Sequence, residues 1–151
     1  MSHPFSILKD AEIAVVEAPA AAGTSDLTTD AIDMANAEAV TCLWSIGTIT
    51  SGAVTSLKAQ QSSDDGSTDA YSDLEGSAVT IADTQSDKVA VLEIRKPTKR
   101  YIKFVLDRGT QNAVSNGALA IKTGLRVRPA TQPASVMAAS EVHAGPAEGT
   151  A

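Results

Sequence analysis

The sequence has few of the residues from which catalytic and metal centres are built. Its 151 residues include two histidines, one cysteine and five aromatic side chains. Both histidines, His3 and His143, lie near a chain end, where no rigid scaffold holds a base within reach of a nucleophile. The single cysteine, Cys42, excludes an internal disulfide framework and a cysteine-based structural zinc site. We therefore expect a protein without enzymatic activity and without a cofactor.

The usual phosphate-binding and membrane signals are also missing. The sequence contains neither GxxxxGK[ST] nor GxGxxG, the common phosphate-cradling loops. No apolar run approaches the roughly 18–20 residues that span a bilayer. The first residues lack the basic start and apolar stretch of a secretion signal. The sequence predicts a protein made in the cytoplasm and used without export, with no membrane partner.

Charge is unevenly distributed along the chain. The formal net charge is −6, with a net of −11 over residues 1–90 and +5 over residues 91–151. An acidic total argues against nucleic acid as the main partner. The segregation suits copies or neighbouring subunits that meet through opposite potentials. A solvated surface that happens to be segregated explains it equally well.

Alternation of apolar and polar residues recurs through the middle of the chain and indicates half-buried β-strands. No segment has the pattern of a long amphipathic helix. Alanine accounts for 26 residues, so the core is thin for the length and we expect partners to contribute to stability. The predicted strands are Glu12–Val16, Leu27–Met34, Ala39–Thr50, Ala53–Gln61, Ala78–Ala82, Val89–Arg95, Tyr101–Arg108 and Ala118–Arg128.

The predicted fold is all-β, an antiparallel β-sandwich of about eight strands resembling a jelly roll. Turn residues separate the strands, and Asn116-Gly117 has the residues of a tight hairpin. In the last strand we expect the core-facing side chains to be Leu119, Ile121, Leu125 and Val127. The sandwich occupies residues 26–129, between an extended amino-terminal arm, 1–25, and a flexible Ala/Pro-rich tail, 130–151.

Three features are candidates for binding. The run from Arg95 to Arg100 is the densest basic feature and favours contact with acidic protein over nucleic acid, although a solvated turn is equally plausible. The acidic loop 64–75 has the oxygen ligands that calcium prefers, but its spacing does not fit an EF-hand, and a solvated loop is favoured. Trp44 could support a sugar ring, but its alternation with buried positions favours a core tryptophan.

A family resemblance enters through the segment from Lys88 to Pro129. Its elements are Lys96-Pro97, Lys99-Arg100-Tyr101 and Arg108-Gly109-Thr110, followed by the strand Ala120-Ile121-Lys122-Thr123-Gly124. In this order they resemble small head-associated proteins of tailed bacteriophages, the capsid cement or decoration proteins. The resemblance covers a quarter to a third of the chain, and the long Ala/Pro tail departs from it.

The resemblance implies a jelly-roll virion protein on the outer surface of an icosahedral head, where it cements neighbouring major capsid protein subunits. It also implies a homo-oligomer, with a dimer favoured over a trimer. An alternative is a carbohydrate- or receptor-binding β-sandwich module of a virion. For the interface with other subunits we predict the amino-terminal arm and the basic turn, namely Phe5, Ile7, Leu8, Arg95, Lys96, Lys99, Arg100 and Arg108.

Overall fold

The computed structural model describes residues 5–150 and contains eleven strands with very little helix. Within that range no helix is long and apolar enough to cross a membrane. The elements are α1 (Ile7–Asp10), β1 (Glu12–Glu17), β2 (Ala20–Gly23), β3 (Leu27–Thr28), β4 (Ile32–Asp33), β5 (Ala39–Ile49), β6 (Thr55–Ser62), β7 (Ser72–Asp73), β8 (Val79–Ile81), a 3-10 turn (Asp83–Gln85), β9 (Val89–Arg95), β10 (Tyr101–Asp107) and β11 (Ala113–Thr123).

The strands form two antiparallel sheets that pack as a sandwich, which confirms the predicted fold class. The first sheet has the order β1-β11-β5-β9, with β2 also pairing with β11. The second has the order β3-β10-β6-β7, with β4 beside β10 and β8 beside β6. If β1 with β2, β3 with β4 and β7 with β8 each count as one position, eight positions remain, and the first pairs with the eighth, the second with the seventh, the third with the sixth and the fourth with the fifth. This nested pairing is the jelly-roll order.

The core lies between the sheets and follows the predicted alternation in β5 and β10. Trp44 of β5 and Phe104 of β10 are both completely buried, and Cys42 is buried beside them. Burial of a large side chain contributes about 1.5–3 kcal/mol, so these two strands supply much of the apolar stabilisation. Trp44 Nε1 donates a hydrogen bond to Ser115 Oγ at 2.8 Å, which satisfies the one polar atom of its ring.

The predicted hairpin at Asn116-Gly117 is wrong, because both residues lie inside the continuous strand β11. Between the pairs Ser115↔Ile46 and Ala118↔Trp44, β11 has one residue more than β5 and forms a bulge. Gly117 has φ +99°, and a Cβ there would lie 2.9 Å from the Glu17 carbonyl oxygen. The Asn-Gly pair therefore supplies the left-handed residue of a bulge, which needs the same backbone freedom as a tight turn.

The bulge reverses which side chains of β11 face the core. Ala118 and Ala120 are buried, whereas Leu119 is 41% exposed. The prediction that Leu119, Ile121 and Val127 face inward is therefore wrong, since Ile121 lies on the same side of β11 as Leu119 and Val127 is 67% exposed beyond the end of the strand. Leu125 is buried as predicted.

Both chain ends contribute more to the fold than the predicted arm and tail implied. The predicted strand at residues 12–16 is present as β1, and β1 and β2 both pair with β11, so residues 12–23 of the arm belong to the first sheet. Ala130 N–H donates to the Lys9 carbonyl at 2.7 Å, and the Gln132 side chain bonds Leu8, Ala11 and Ile13 backbone groups. Residues 138–150 form no strand or helix and are exposed.

Replacing Ser115 should destabilise the sandwich. Ser115→Ala leaves the buried Trp44 N–H without its acceptor, so we expect the free energy of unfolding to fall by about 1–3 kcal/mol. Urea denaturation followed by tryptophan fluorescence would measure the loss. Ser45→Ala, at an exposed position of β5, is the matched control. Equal stability of the two variants would contradict a structural role for this hydrogen bond.

Candidate interaction surface

The predicted basic turn lies at the surface, but its cations are largely paired within the chain. Arg100 makes a two-pronged contact with the Asp33 carboxylate at 2.9 and 2.7 Å, and its guanidinium lies 5.1 Å from the Tyr101 ring centre. Lys99 Nζ is 2.6 Å from an Asp69 carboxylate oxygen. Asp33 has a lowered pKa, chiefly because of the hydrogen bond from Arg100. These two cations stabilise their own loops before any partner arrives.

The acidic loop 64–75 is organised by its own carboxylates. Asp64 accepts hydrogen bonds from the Thr68 and Asp69 N–H groups, and Asp69 accepts from Ser63. Tyr71 O–H donates to Asp65 at 2.6 Å. Through residues 5–150 no three His, Cys, Asp or Glu side chains are grouped so as to hold a metal ion.

Arg108 is a correction to the predicted interface. Its side chain is 5% exposed, so it is not presented to a partner. The guanidinium donates to the carbonyl oxygens of Ser25, Ala21 and Ala113 at 2.8–2.9 Å. A planar guanidinium has several donors in fixed directions, which allows one side chain to join three backbone segments. Arg108 therefore joins the β2–β3 connection to β11.

Two of the three predicted amino-terminal contact residues, Phe5 and Ile7, lie at the surface. Phe5 is 72% exposed and Ile7 44% exposed, and Leu8 is half-buried. The helix α1 has no buried residue, and its position is set by the contacts of residues 130–132 described above. Arg128 lies 4.0 Å from Asp10, at the end of the same helix.

An open groove beside the basic turn contains further cations. The groove has a volume of about 590 Å³, and Lys96 and Arg126 are among the residues that line it. Arg126 N–H donates to the Asn36 carbonyl at 3.0 Å, while its side chain is exposed. Among the residues that the structure describes, neither Lys96 nor Arg126 forms an ion pair. Arg126 was not among the predicted contact residues, because it is remote in sequence from the basic run.

The outer face of the first sheet carries an aliphatic surface that sequence reasoning missed. Val15, Leu119, Leu43 and Val91 lie directly opposite one another on β1, β11, β5 and β9. Val15, Leu119 and Val91 are 46%, 41% and 50% exposed. We call this surface the aliphatic face; its members are Ile13, Val15, Leu43, Val89, Val91, Leu119 and Ile121.

The second sheet has a different outer face. Lys103 of β10 lies opposite Gln60 of β6, and Asp107 opposite Ser56, so polar side chains meet water there. Val105 on this face is 4% exposed and hence covered. Antiparallel sheets commonly have one packed face and one polar solvated face, and the second sheet follows that rule. The first sheet departs from it, because aliphatic side chains outnumber the polar ones, Thr41, Ser45 and Glu93, on the same part of its solvent side.

The aliphatic face depends on the bulge at Gly117. Without an extra residue in β11, Leu119 would remain on the same side as Ser115 and point into the core. The bulge instead turns the small residues Ala118 and Ala120 inward and aligns Leu119 with Val15 and Leu43. The sequence signal was the Asn-Gly pair within an otherwise continuous strand pattern.

Trp44 is confirmed as a core residue, since it is completely buried. It cannot support a sugar ring, which removes the main feature behind the carbohydrate-binding alternative. Burial also raises the pKa of the Cys42 thiol to about 12, so that cysteine is an inert core side chain.

The comparisons with known proteins identify a similar fold. No protein-family model and no curated protein matches the sequence. Among solved structures, the chain is similar to the PBSX exported protein XepA, with a TM-score of 0.54 and 16% identity over 98% of this chain and 45% of XepA. The chain thus spans less than half of XepA, and at this identity the likeness shows the fold alone. A structure of infectious bursal disease virus, Gt strain, matches with a TM-score of 0.26 and 9% identity over 75% of this chain and 40% of that chain, which carries no argument.

Removal of the buried arginine should cost far more stability than removal of the exposed one. Arg108→Met removes three hydrogen bonds from a buried guanidinium to backbone carbonyls, so we expect the free energy of unfolding to fall by about 3 kcal/mol. Arg100→Met, the matched control, should cost much less because water screens its exposed pair with Asp33. Thermal and urea unfolding of both variants would test this. Equal losses would contradict the bridging role of Arg108.

The acidic loop should loosen only in strong acid. The hydrogen bond from Lys99, with those from Ser63, lowers the pKa of Asp69 to about 2. Because this folded-state pKa is below the usual value of about 3.9, the contribution of Asp69 is complete above that value and is lost as pH falls through about 2. An NMR titration should therefore place the Asp69 carboxyl midpoint near 2 in the wild type and higher in Lys99→Met. A wild-type midpoint at the usual value would contradict the Lys99–Asp69 contact.

Proposed function

We propose that the protein is a non-enzymatic structural protein of a bacteriophage virion, which binds the outer surface of an icosahedral head and cements neighbouring major capsid protein subunits. In this proposal the protein acts as a homo-oligomer, with a dimer favoured. Nucleic acid and membrane are not partners, and no cofactor is needed. The protein would be made in the host cytoplasm and function at the capsid surface.

The aliphatic face is the observation that carries the proposal. Four strands about 4.8 Å apart and five residue positions about 3.3 Å apart outline an area of roughly 300 Å². The largest apolar patch on a monomeric protein is typically about 300–600 Å² and is often functional, so this face has the size of a common interaction site. Its aliphatic side chains come from all four strands of the sheet, with Glu93 at the β9 margin opposite Thr41, so it suits contact with another folded protein surface. A stable interface needs about 1,200–2,000 Å² in total, so further contacts must join it.

The exposed amino-terminal residues and the cationic groove can provide these contacts. Phe5 and Ile7 offer apolar side chains near α1, and Lys96 and Arg126 offer cations that are free to meet an acidic partner. Lys99 and Arg100 contribute indirectly, since their own carboxylates already hold them. Arg95 lies 3.7 Å from Glu93 with a mostly exposed side chain, so it too can reach a partner.

The mechanical reason for such a protein is the outward pressure of packaged DNA on the shell. A clamp across a seam between subunits adds interface that must break before the subunits separate. Each contact can be modest, because many copies on one shell act together. The fold shared with a phage protein supports a structural role in a virion, and the resemblance of residues 88–129 supports the specific role in the head.

Co-sedimentation with mature, empty phage heads prepared without the protein would test this function. The wild type should sediment with the heads at a fixed number of copies per shell. Leu119→Lys places a charge in the centre of the aliphatic face and should weaken attachment at least tenfold, which corresponds to about 1.4 kcal/mol. Thr80→Asp, at an exposed position on the outer side of the second sheet, is the control and should bind normally.

Two results would contradict the proposal. The first is a wild-type protein that does not sediment with heads. The second is equal binding by Leu119→Lys and the wild type, which would show that the aliphatic face is not the contact. Unfolding curves of each variant ensure that any loss of binding reflects the surface and not the fold.

A further inference from the structure

The backbone of β9 has one edge paired and one edge open. Ile46 N–H donates to the Lys88 carbonyl at 2.9 Å, and Lys96 N–H donates to the Glu38 carbonyl at 2.6 Å. In an antiparallel ladder the residues that bond a given neighbour alternate, so the even-numbered residues of β9 bond β5. The odd-numbered residues therefore direct their N–H and C=O groups away from β5; they are Val89, Val91, Glu93 and Arg95. Across residues 5–150 no strand pairs with this side of β9.

The opposite edge of the same sheet is covered. On β1, Ile13 N–H donates to the Gln132 side chain at 2.9 Å, and the Val16 carbonyl accepts from Asp30 N–H at 2.8 Å. Proteins usually shield an edge strand with a covering segment, a proline or a bulge, because an open edge recruits other strands. β9 is regular over seven residues and has no covering segment, proline or bulge; its charged residues Glu93 and Arg95 lie towards its carboxyl end, whereas Val89 and Val91 are 57% and 50% exposed.

The open edge is accessible. A cleft of about 220 Å³ lies between β9 and β8, lined by Val79 and Ile81 on one side and by Lys88 and Val91 on the other.

We infer that the open edge of β9 pairs with β9 of a second copy of this chain, antiparallel about a twofold axis at Val91. The inference deepens the homo-oligomeric part of the proposed function, on which its biological role rests, by naming the surface that joins two copies. Eight backbone groups on each copy that now face water would form intermolecular hydrogen bonds and make one continuous sheet. This is β-augmentation between two identical edge strands.

Charge selects this register. With the axis at Val91, Arg95 of one copy lies level with Asp87 in the turn before β9 of the other, and the symmetry brings two such opposite charges together. Val91 meets its own symmetry mate, and Glu93 lies opposite Val89. An axis at Ala90 would instead bring Glu93 level with Asp87. Like charges brought close together are unfavourable, so that register is disfavoured.

Two other positions of the twofold axis along β9 are also less favourable. An axis at Glu93 would set the two Glu93 side chains against each other. An axis at Leu92 would set Val91 opposite Glu93 and Val89 opposite Arg95, which forms no charge pair. The register about Val91 is the one that combines opposite charges at the ends with aliphatic contact at the centre.

The pairing would also enlarge the aliphatic face. The row Val15–Leu119–Leu43–Val91 ends at the β9 edge. Across the twofold axis it continues in reverse order, giving eight aliphatic side chains in line over two copies. A face of this length could span two neighbouring capsid subunits, which a single copy would only partly cover.

Disulfide trapping tests the register directly. Val91→Cys places one thiol on each side of the axis, in a hydrogen-bonded pair with Cα atoms about 5.5 Å apart, so oxidation or a short bifunctional thiol reagent should give a covalent dimer in high yield. Val89→Cys is the control, since in this register the two introduced thiols would lie roughly 13 Å apart along the strand. The native Cys42 is buried and should not react.

A second pair of variants tests the open backbone edge in solution. Val91→Pro removes an N–H that faces away from β5 and should raise the dimer dissociation constant at least tenfold, whereas Val91→Thr should not. Sedimentation equilibrium measures both, and unfolding curves confirm that both variants fold.

A wild type that stays monomeric, or Val89→Cys cross-linking as readily as Val91→Cys, would overturn the inference. A monomer that still binds heads would overturn the pairing and the homo-oligomeric state but leave the cementing role intact. A cross-linked dimer that does not bind heads would support the pairing and contradict the cementing role.

Discussion

The bulge inside β11 shifts the alternation of inward- and outward-facing side chains, and the outer face of the first sheet depends on this shift. β11 lies at the centre of the first sheet, where it pairs with β1, β2 and β5. The extra residue at Gly117 is accommodated because its φ of +99° is open to glycine and a Cβ would approach the Glu17 carbonyl within 2.9 Å. Before the bulge, Ser115 faces the core and bonds Trp44; after it, alanines face the core and Leu119 faces out. One glycine thus determines both how the core closes and what the outer face presents.

A second bulge keeps the sheet in register. Between Ala113↔Ile49 and Ser115↔Ile46 the extra residue lies on β5, whereas between Ser115 and Ala118 it lies on β11. The two irregularities compensate, so the pairing beyond them is regular as far as Ala39 and Thr123. A bulge strengthens the local twist, and two bulges close together bend both strands without ending their pairing.

The sequence predicted the regular parts of this fold well and the exceptions poorly. β5, β9 and β10 alternate cleanly, and the predicted segments agree with the structure within a few residues. Asn116-Gly117 was read as a hairpin because a bulge and a tight turn need the same backbone freedom. Arg108 was read as a surface cation because three carbonyl acceptors, contributed by distant segments, leave no trace in the local sequence.

The charge pattern of the sequence likewise did not show which distant charged residues meet in the folded chain. The acidic first part and basic last part of the chain suggested two surfaces of opposite sign, but folding brings them together at Asp33–Arg100 and Asp69–Lys99. The segregation along the sequence is thus partly used to join loops within one molecule. What the described part of the chain offers to partners is a neutral aliphatic face, an open backbone edge and the cations of the groove. Apolar contact and backbone hydrogen bonds act at short range and depend on fit, and salt screens them less than it screens exposed charges. A protein that must hold its neighbours under load in varying salt is better served by such contacts than by a strongly charged surface.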